Sequence, residues 1–411
     1  MKVLLTGFAC EPEKGSEPGF TWNWAWYLSP YVQVWVITHL MNKGPIEAYL
    51  AAHPNPRLHF EYVFLSPFWT RILKRFYKLR YVQWQREALK KAQALHAEIG
   101  FDLTHHISFG TVSSPPLLYR LPVPMVWGPL GGGQTTPAAF WRYFGWSWLN
   151  EFQRTIRVRT VRWLPSLRQA ARWCALALAT NHETQSLLAR AGRRRVELFL
   201  DSGYPDELIR ERSKAATSGD AFRLLWVGKF EKRKCLPLAL EALAKIGSAK
   251  VTLEVIGTGR CERAWKQLTE RLNLSARVRY HGALPWARVQ VQFRHADAFI
   301  FTSLRDSFGT QVLEAMAAGL PIITLDHQGV RCFVPSGASV KVPVTNPSVT
   351  VTALAEAIQK LWKNPDTRAH MSKCAVQYAK SQTWQHRAEV MFDYYRRILY
   401  GDISSKYWFG S

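Results

Sequence analysis

The feature that most constrains the fold is a repeated alternation of short apolar runs with segments of helical periodicity. The runs in the first half are KVLLTGF, VQVWVIT, LHFEYVF, FDLTHHIS, PMVWG and CALALAT, and those in the second half are FRLLWVG, VTLEVIG, VRYHG, AFIFTS and PIITL. Apolar runs of this length are typical of buried strands, and strands that alternate with helices form parallel sheets. The pattern predicts an α/β chain with two doubly wound parallel sheets.

The chain also shows where it divides. At 411 residues it exceeds one ordinary core, and the two series are separated by a polar stretch with Gly and Pro at residues 200–222. We therefore predict a first domain at residues 1–204 and a second at 205–383. The amphipathic segment TWQHRAEVMFDYYRRIL predicts a helix that crosses back, so that residues from about 384 to 411 join the first domain.

Positive charge is the unusual property of the composition. The chain has 54 Lys and Arg against 30 Asp and Glu, a net charge of +24, which favours polyanionic partners. Two segments, residues 68–86 and 140–173, interleave Arg and Lys with Trp, Tyr and Phe. Such segments suit an anionic membrane surface, single-stranded nucleic acid, or simple packing of an Arg-rich helix on its own domain. We favour the membrane over nucleic acid, because no RNP-like motif or recognition helix is apparent.

Other patterns exclude whole classes of protein. The six cysteines are scattered and none has C-x-x-C spacing, which argues against a zinc site or a disulfide framework. No run approaches the roughly 18 apolar residues of a transmembrane helix, and the N-terminal run is too short for a signal peptide. Walker, H-E-x-x-H, G-x-S-x-G and D-x-D patterns are missing. We expect a cytoplasmic protein with no metal and no bound cofactor.

Residues 302–321, TSLRDSFGTQVLEAMAAGLP, combine a strand end, a tight turn and a helix start. The apolar positions after Thr310 have helical spacing until Gly319 and Pro321 end the helix. Free N–H groups around Phe308, Gly309 and Thr310 would attract an anion. Asp306 before the turn and Glu314 one helical turn later suit hydrogen bonds from sugar hydroxyls. The alternative is an ordinary strand–turn–helix with a capping Asp and a solvated Glu.

Two further loops of the second domain follow strands. Residues 228–234, GKFEKRK, place Lys229 and Lys234 where they could bracket a diphosphate and stabilise a leaving group that gains charge. A solvated basic loop is the alternative. Gly257 lies in a G-x-G after the next strand, where it permits close approach of a ligand or simply forms a turn.

The first domain has three candidate segments. The polar loop from Glu11 to Gly19 follows the first strand, so it is expected to overhang a ligand cleft. His105 and His106 end another strand, which is expected to put one or both at a cleft edge. Adjacent strand residues point to opposite faces, so both cannot enter the cleft if the strand is regular. Three consecutive glycines in residues 128–134, GPLGGGQ, imply either a close approach of the backbone or a flexible hinge.

Together these residues resemble glycosyltransferase family four, the retaining, nucleotide-sugar-dependent glycosyltransferases with the GT-B fold. The resemblance is close over about residues 222–345 and looser from Met1. It implies two facing Rossmann-like domains with a C-terminal helix that crosses back to the first. The diphosphate loop of that family, G-R-x-x-x-x-K, matches Gly228, Lys229 and Lys234, and its E-x(7)-E motif matches Asp306 and Glu314.

The resemblance also implies roles for individual residues. Glu314 would hold the donor ribose, Asp306 would contact the transferred sugar, and the D-x-x-H motif matched by Asp102 and His105 makes His105 the sugar-facing histidine. Three departures stand out: Lys229 replaces the usual Arg, Asp306 replaces Glu, and Cys235 replaces Gly. Lysine loses the bidentate fork of Arg, and Asp is one methylene shorter than Glu. The candidate residues are His105, Asp306 and Lys234 for catalysis; Gly228, Lys229, Lys234, Gly257, Phe308, Gly309, Thr310 and Glu314 for the donor; and Gly15, Ser16, Glu17, His106 and Gly132 for the acceptor side.

The expected activity is transfer of a sugar from a UDP- or GDP-type nucleotide sugar to a saccharide acceptor, with retention of configuration. The basic aromatic segments suggest a lipid-linked acceptor at the inner face of the cytoplasmic membrane, in cell-surface polysaccharide or lipopolysaccharide assembly. A GT-B-like sugar-nucleotide epimerase would use the same diphosphate site without an acceptor. A nucleic-acid-binding protein would explain the charge but not the motifs from Gly228 onward.

Overall fold

The computed structural model describes residues 1–65, 77–193, 195–209 and 221–401. Strands and helices alternate through these residues, and the strand pairings within them are parallel. The predicted α/β class with two doubly wound sheets is therefore confirmed. Residues 68–76 of the first basic aromatic segment and residues 210–220 of the predicted connection lie outside the described residues.

The first sheet has the strand order β3-β2-β1-β4-β5-β6-β7. Its strands are β1 (Lys2–Gly7), β2 (Gln33–His39), β3 (Leu58–Val63), β4 (Leu103–Ser108), β5 (Met125–Leu130), β6 (Leu176–Ala179) and β7 (Val196–Leu198). The order reverses between β1 and β4, which pair directly. Ligands of open α/β sheets bind beyond the carboxyl ends of the strands at such a switch point.

Helices cover both faces of this sheet. They are α1 (Ser16–Leu28), α2 (Lys43–Ala52), α3 (Tyr77–Ile99), α5 (Pro165–Trp173) and α6 (His182–Arg190). The helix between α3 and α5 is α4 (Trp148–Val161), and most of it belongs to the second unit described below. Successive strand residues point to opposite faces, so Val3 and Leu5 of β1 enter one hydrophobic core and Leu4 enters the other.

The second sheet has the order β10-β9-β8-β11-β12-β13, with its switch point between β8 and β11. Its strands are β8 (Phe222–Val227), β9 (Val251–Ile256), β10 (Val278–Gly282), β11 (Ala298–Phe301), β12 (Ile322–Leu325) and β13 (Ser339–Val342). The accompanying helices are α7 (Leu236–Lys245), α8 (Glu262–Arg271), α9 (Trp286–His295), α10 (Thr310–Ala317), α11 (Gln328–Phe333), α12 (Pro347–Lys363) and α13 (Pro365–Lys380).

The chain folds into two compact units, each made of separate pieces of sequence. The first contains Met1–Gly133, Arg157–Ser202 and the chain from Trp384 onward, and the second contains Gln134–Ile156 and Gly203–Thr383. The predicted division assigned Gln134–Ile156 to the first domain, whereas in the structure these residues pack with the second sheet. The physical reason is that Phe140 and Phe144 are fully buried in the hydrophobic core of that sheet.

The amphipathic C-terminal segment forms α14 (Trp384–Tyr400), which packs in the first unit as predicted. Trp384 makes an edge-to-face contact with Trp24 of α1 at 5.6 Å between ring centroids. Arg387 donates a hydrogen bond to the carbonyl of Leu200. Aromatic packing and a buried cation therefore tie this helix to the first unit.

A helix needs about 20 predominantly apolar residues to span a bilayer. Within the described ranges, no helix combines the length and the apolar character needed to cross a membrane.

Candidate functional site

The loops that follow β8 and β11 form one structure at the switch point of the second sheet. The Thr302 hydroxyl donates to the carbonyl of Lys234 at 3.1 Å, and the Leu304 N–H donates to the carbonyl of Arg233 at 2.8 Å. The Trp226 indole N–H donates to the Thr302 hydroxyl at 3.1 Å. These bonds bring the predicted basic loop and the predicted Asp306 loop side by side, where open α/β sheets bind ligands.

Lys234 and Asp306 form a buried ion pair within these loops. The Lys234 ammonium contacts Asp306 Oδ2 and lies 5.3 Å from the centre of the Phe301 ring. Arg233 Nη1 is 3.3 Å from the same oxygen, and the Ser303 hydroxyl donates to it at 3.3 Å. Burial raises the pKa of Asp306, but the charges of Lys234 and Arg233 outweigh burial and hold the pKa below its usual value. Asp306 is therefore ionised at neutral pH.

The helix start predicted at Thr310 is present as the first residue of α10. Gly309 has a φ of +101°, and a Cβ atom at this position would lie 2.7 Å from the Phe301 ring. A side chain would therefore be strained here, so the turn requires glycine. Phe308 is buried beneath the turn. The arrangement leaves N–H groups at the amino end of α10, which favours an anion.

Glu314 lies one turn into α10 and is half-buried. Burial raises its pKa to about 7, although a hydrogen bond from the Trp286 side chain opposes this shift. A carboxyl group with a pKa near 7 binds or releases its proton in response to small changes in its surroundings.

The loops after β8 and β9 touch through their glycines. Gly257 has a φ of +136°, and a Cβ atom there would lie 1.9 Å from the carbonyl oxygen of Gly228. Phe230 N–H donates to the carbonyl of Thr258 at 2.8 Å. Close packing of the two loops explains why glycine stands at position 257, and Lys229 is exposed beside this contact.

Cys235, where the family has glycine, has a left-handed backbone with a φ of +44°. Glycine adopts this conformation without a steric penalty, whereas other residues carry about 1–2 kcal/mol of strain. The Cys235 side chain is fully buried in the core of the second unit. Burial raises the pKa of the thiol well above its usual value, so Cys235 is a packing residue in the described structure.

One or both of His105 and His106 were expected at a cleft edge, but in the structure both side chains are buried within β4. The Gly128 carbonyl accepts a hydrogen bond from His105 Nε2 at 2.7 Å, so Nδ1 is left to accept from the Tyr395 hydroxyl at 2.6 Å. The His106 nitrogens lie 2.7 Å from the Thr6 hydroxyl and 2.9 Å from the Tyr81 hydroxyl.

Burial lowers the pKa of His105 to about 4 and that of His106 to about 3. Both rings are therefore neutral at physiological pH. Because their nitrogens are also engaged by protein atoms, this structure gives neither histidine a free position for a substrate.

The loop after β1 contains the other predicted residues of the first unit. Gly15 and Ser16 are exposed at the start of α1, and Ser16 has a φ of +62°. Glu17 accepts a hydrogen bond from the Gly110 N–H at 3.3 Å. Burial raises the pKa of Glu17 to about 7, with a smaller contribution from the charge of Asp201. This carboxyl group at the switch point of the first sheet remains a candidate for the acceptor side.

The triple glycine packs closely against its own unit. A Cβ atom at Gly132 would lie 2.7 Å from the Thr111 hydroxyl, and one at Gly133 would lie 2.6 Å from the backbone of Thr184. Gly133 N–H also donates to the Thr184 hydroxyl at 3.1 Å. Close approach of the backbone, rather than a hinge, therefore explains these glycines, and the role of Gly132 toward an acceptor stays a prediction.

Sequence reasoning missed an ion pair beside the site. Arg305 donates two hydrogen bonds to Glu151 of α4, at 2.8 Å from Nε and 2.9 Å from Nη2. The Thr136 hydroxyl donates to the same carboxylate at 2.7 Å. One signal was available: residues 140–173 contain seven Arg and a single acidic residue, Glu151. An isolated carboxylate among so many cations is expected to have a specific partner.

Two further contacts join the segment Gln134–Ile156 to the candidate loops. Gln328 donates to the Thr135 carbonyl at 3.0 Å and accepts from the Asp306 N–H at 2.8 Å. The Lys232 ammonium donates to the Phe144 carbonyl at 2.6 Å and to the Ser147 hydroxyl at 3.0 Å. The segment Gln134–Ile156 therefore supports both loops of the candidate site.

One family model matches the second part of the chain. Residues 209–378 match the family model described as glycosyl transferases group 1. We call these residues the group 1 region; it contains the β8, β9 and β11 loops. Within the described ranges no group of three or more potential metal ligands was found, and independence from metal stays a prediction.

Curated relatives match about half of the chain. The putative glycosyltransferase EpsD of Bacillus subtilis (strain 168) is 26% identical over 196 residues, which cover 46% of this chain and 50% of EpsD. A D-inositol 3-phosphate glycosyltransferase of Frankia alni is 26% identical over 213 residues, covering 49% of this chain and 51% of the relative. The chain thus spans about half the length of the curated relatives it matches.

Solved structures match nearly the whole chain. Alr3699/HepE of Anabaena, in complex with UDP and glucose, has a TM-score of 0.64 at 16% identity and covers 96% of this chain and 99% of its own. The lipopolysaccharide outer core galactosyltransferase WaaB has a TM-score of 0.66 at 14% identity and covers 98% and 100%. At these identities the likeness concerns the fold, which is GT-B.

Proposed function

We propose that this protein is a retaining glycosyltransferase that moves a sugar from a nucleotide diphosphate sugar to a saccharide acceptor. The observation that carries the proposal is the joined pair of loops after β8 and β11, which present Lys229, Lys234 and the amino end of α10 at one switch point. These loops lie within the group 1 region. Cations beside free N–H groups suit a diphosphate.

A uridine or guanosine diphosphate sugar is the proposed donor. HepE, which shares the fold, has been solved in complex with UDP and with UDP-glucose. In this chain the half-buried Glu314 would accept hydrogen bonds from the ribose, and Asp306 would contact the transferred sugar.

The proposed chemistry needs no covalent intermediate with the enzyme. The bond between the anomeric carbon and the diphosphate oxygen breaks, and the acceptor oxygen forms its new bond on the same face of the sugar. The acceptor proton passes to the departing phosphate oxygen. Lys229, Lys234 and the amino end of α10 would stabilise the charge that develops on the diphosphate. His105 has no part in this scheme, because both of its nitrogens are bonded inside the first unit.

A lipid-linked saccharide is the proposed acceptor, and assembly of cell-surface polysaccharide or lipopolysaccharide is the proposed process. Support comes from the Arg-rich aromatic segment at residues 140–173 and from the fold shared with the lipopolysaccharide galactosyltransferase WaaB. Glu17 and Gly132 are the proposed acceptor-side residues.

The test compares Lys229→Ala with Lys245→Ala. Both lysines are exposed, but Lys245 ends α7 and so lies at the opposite end of the sheet from the strand ends. Thermal unfolding is first measured with UDP, GDP, ADP and TDP sugars, because a ligand that binds the folded state raises the melting temperature. The preferred nucleotide sugar should bind Lys229→Ala about tenfold more weakly, in line with loss of one charged hydrogen bond. Lys245→Ala should bind normally.

Failure of every nucleotide sugar to raise the melting temperature would overturn the proposal. So would equal effects of the two substitutions. A donor that is converted without any transfer to an acceptor would instead identify the epimerase.

A further inference from the structure

The helix α4 has an exposed apolar face. Leu149, Phe152 and Ile156 follow one another at helical spacing, and 58%, 53% and 48% of their surfaces are exposed. Trp146, immediately before the helix, is 92% exposed. We call these four residues the α4 apolar face. Contiguous exposed apolar residues of this size mark an interaction surface more often than single ones do.

The opposite side of α4 is firmly held. Glu151 makes the bidentate pair with Arg305, and the preceding turn binds the Lys232 ammonium through Phe144 and Ser147. Trp148 packs against the core of the second unit. Because the helix is held from behind, its apolar face is kept in place rather than exposed by fraying.

Two positive charges lie beside this face on α4. Arg157 and Arg159 are exposed on the same helix. Glu151, the acidic residue of the same helix, is paired with Arg305 and so does not offset these two charges. The partner of the face should therefore be apolar in part and negatively charged.

We propose that the α4 apolar face docks on an anionic lipid bilayer, with Trp146, Leu149, Phe152 and Ile156 in the headgroup region and Arg157 and Arg159 on lipid phosphates. Helices of this composition lie in the plane of the interface. A second copy of the chain would bring like charges together. Single-stranded RNA would stack on aromatic rings but would gain little from the aliphatic Leu149 and Ile156.

Docking on a bilayer would bring the proposed transferase to a membrane-bound acceptor. The link between the docking and a lipid-linked acceptor rests on the proposed function. The candidate loops and the α4 apolar face share the segment Gln134–Ile156 through Arg305, Gln328 and Lys232. The same segment thus supports the loops on one side and exposes the face on the other.

Flotation of the full chain with phosphatidylcholine vesicles, with and without phosphatidylglycerol, tests the docking. Wild type should float only with the anionic vesicles. The triple variant Leu149→Ser, Phe152→Ser and Ile156→Ser should bind about tenfold more weakly. The double variant Arg157→Gln and Arg159→Gln should bind about thirtyfold more weakly at low salt, from roughly 1 kcal/mol per cation.

A matched control replaces exposed apolar residues on other elements, Met41→Ser with Val349→Ser, and should float like wild type. Each variant is also tested for the rise in melting temperature with the nucleotide sugar, which reports folding and the donor site separately from docking. Equal flotation of the triple variant and the control would overturn the docking, as would binding of single-stranded RNA without binding of vesicles. If wild type floats with anionic vesicles but no nucleotide sugar raises its melting temperature, only the proposed function is overturned.

Discussion

Glu314 is the residue whose protonation should control binding of the donor. Burial raises its pKa from the ordinary value of 4.5 to about 7. Because the folded pKa is higher, the folded protein holds this proton more strongly than the unfolded chain. Stability therefore falls as the pH rises from about 4.5 to about 7, where the buried carboxylate form begins to dominate.

Ribose hydroxyls would donate to the ionised form of Glu314, so binding of the donor should favour loss of the proton. We expect the affinity for the nucleotide sugar to be about tenfold higher at pH 8 than at pH 6, as the ionised fraction rises. Calorimetric titration across this range provides the measurement. A nucleotide sugar is preferable to a free nucleotide, because its esterified phosphate does not titrate near neutral pH.

Glu314→Gln should abolish this pH dependence, whereas Glu270→Gln, at an exposed position on α8, should retain it. A pH dependence that survives in Glu314→Gln would show that another group is responsible.

For single residues, the sequence predicts which residues are important better than it predicts the residues that they contact. Asp306 and Lys234 were both selected, but they are 72 residues apart, and nothing in the local pattern indicates that they form a pair. His105 and His106 were expected at an edge, yet their partners Tyr395 and Tyr81 come from distant helices. Burial depends on such long-range contacts, which spacing along the chain does not encode.

Among the elements, α4 is joined to the β11 loop by an ion pair whose energy can be measured. The side chains of Arg305 and Glu151 are only 18% and 12% exposed. Removing one partner of a buried pair leaves an uncompensated charge, so Glu151→Gln should lower the free energy of unfolding by about 3 kcal/mol. Because the double variant Glu151→Gln with Arg305→Gln leaves no such charge, its loss should be smaller than the sum of the single losses. Urea unfolding gives these values.

The pair Arg142–Glu241 provides the control, because it joins the same segment to α7 but is 49% and 25% exposed. The corresponding substitutions should each change stability by no more than about 1 kcal/mol. Similar losses at both pairs would mean that burial does not distinguish them.

Eleven of the thirteen strands in the described residues were predicted, including β3 and β10 at the edges of their sheets. Both missed strands, β7 and β13, lie at the edges of their sheets, and their side chains are largely half-buried. Edge strands do not need the continuous apolar run that identifies a central strand. The helix predicted after Thr310 was confirmed, because Gly309, Gly319 and Pro321 mark both of its ends.

In the whole molecule, the segment Gln134–Ile156 determines which fragments of the chain fold stably. A fragment of residues 203–383 lacks Phe140 and Phe144 from its core and lacks the partners of Arg305 and Lys232. We expect this fragment to be less stable than one carrying residues 134–156 through a flexible linker, by several kcal/mol, since losing one buried Phe side chain alone costs about 3–5 kcal/mol. Thermal unfolding of both fragments is the measurement.

A fragment of matched length that carries a scrambled 134–156 sequence is the control and should give no gain. Equal stability of the fragments with and without the native segment would contradict this expectation.

The two-sheet organisation was predictable because one polar stretch, residues 200–222, separates the two series of strands. The packing of Gln134–Ile156 in the second unit was not predictable. Nothing in the local composition of an Arg-rich aromatic segment indicates which hydrophobic core Phe140 and Phe144 enter. Choice between two cores depends on shape and on long-range partners such as Arg305, and these appear only in three dimensions.

The position of α14 has a consequence for synthesis on the ribosome. The strands of the first sheet are translated first, yet Trp24 and His105 are covered by Trp384 and Tyr395, which are translated after every strand described in both sheets. The nascent first unit must therefore wait, with one face of its sheet incompletely covered, while the second unit is made. Chaperones that bind exposed aromatic surface should engage this protein during translation until α14 emerges and closes the unit.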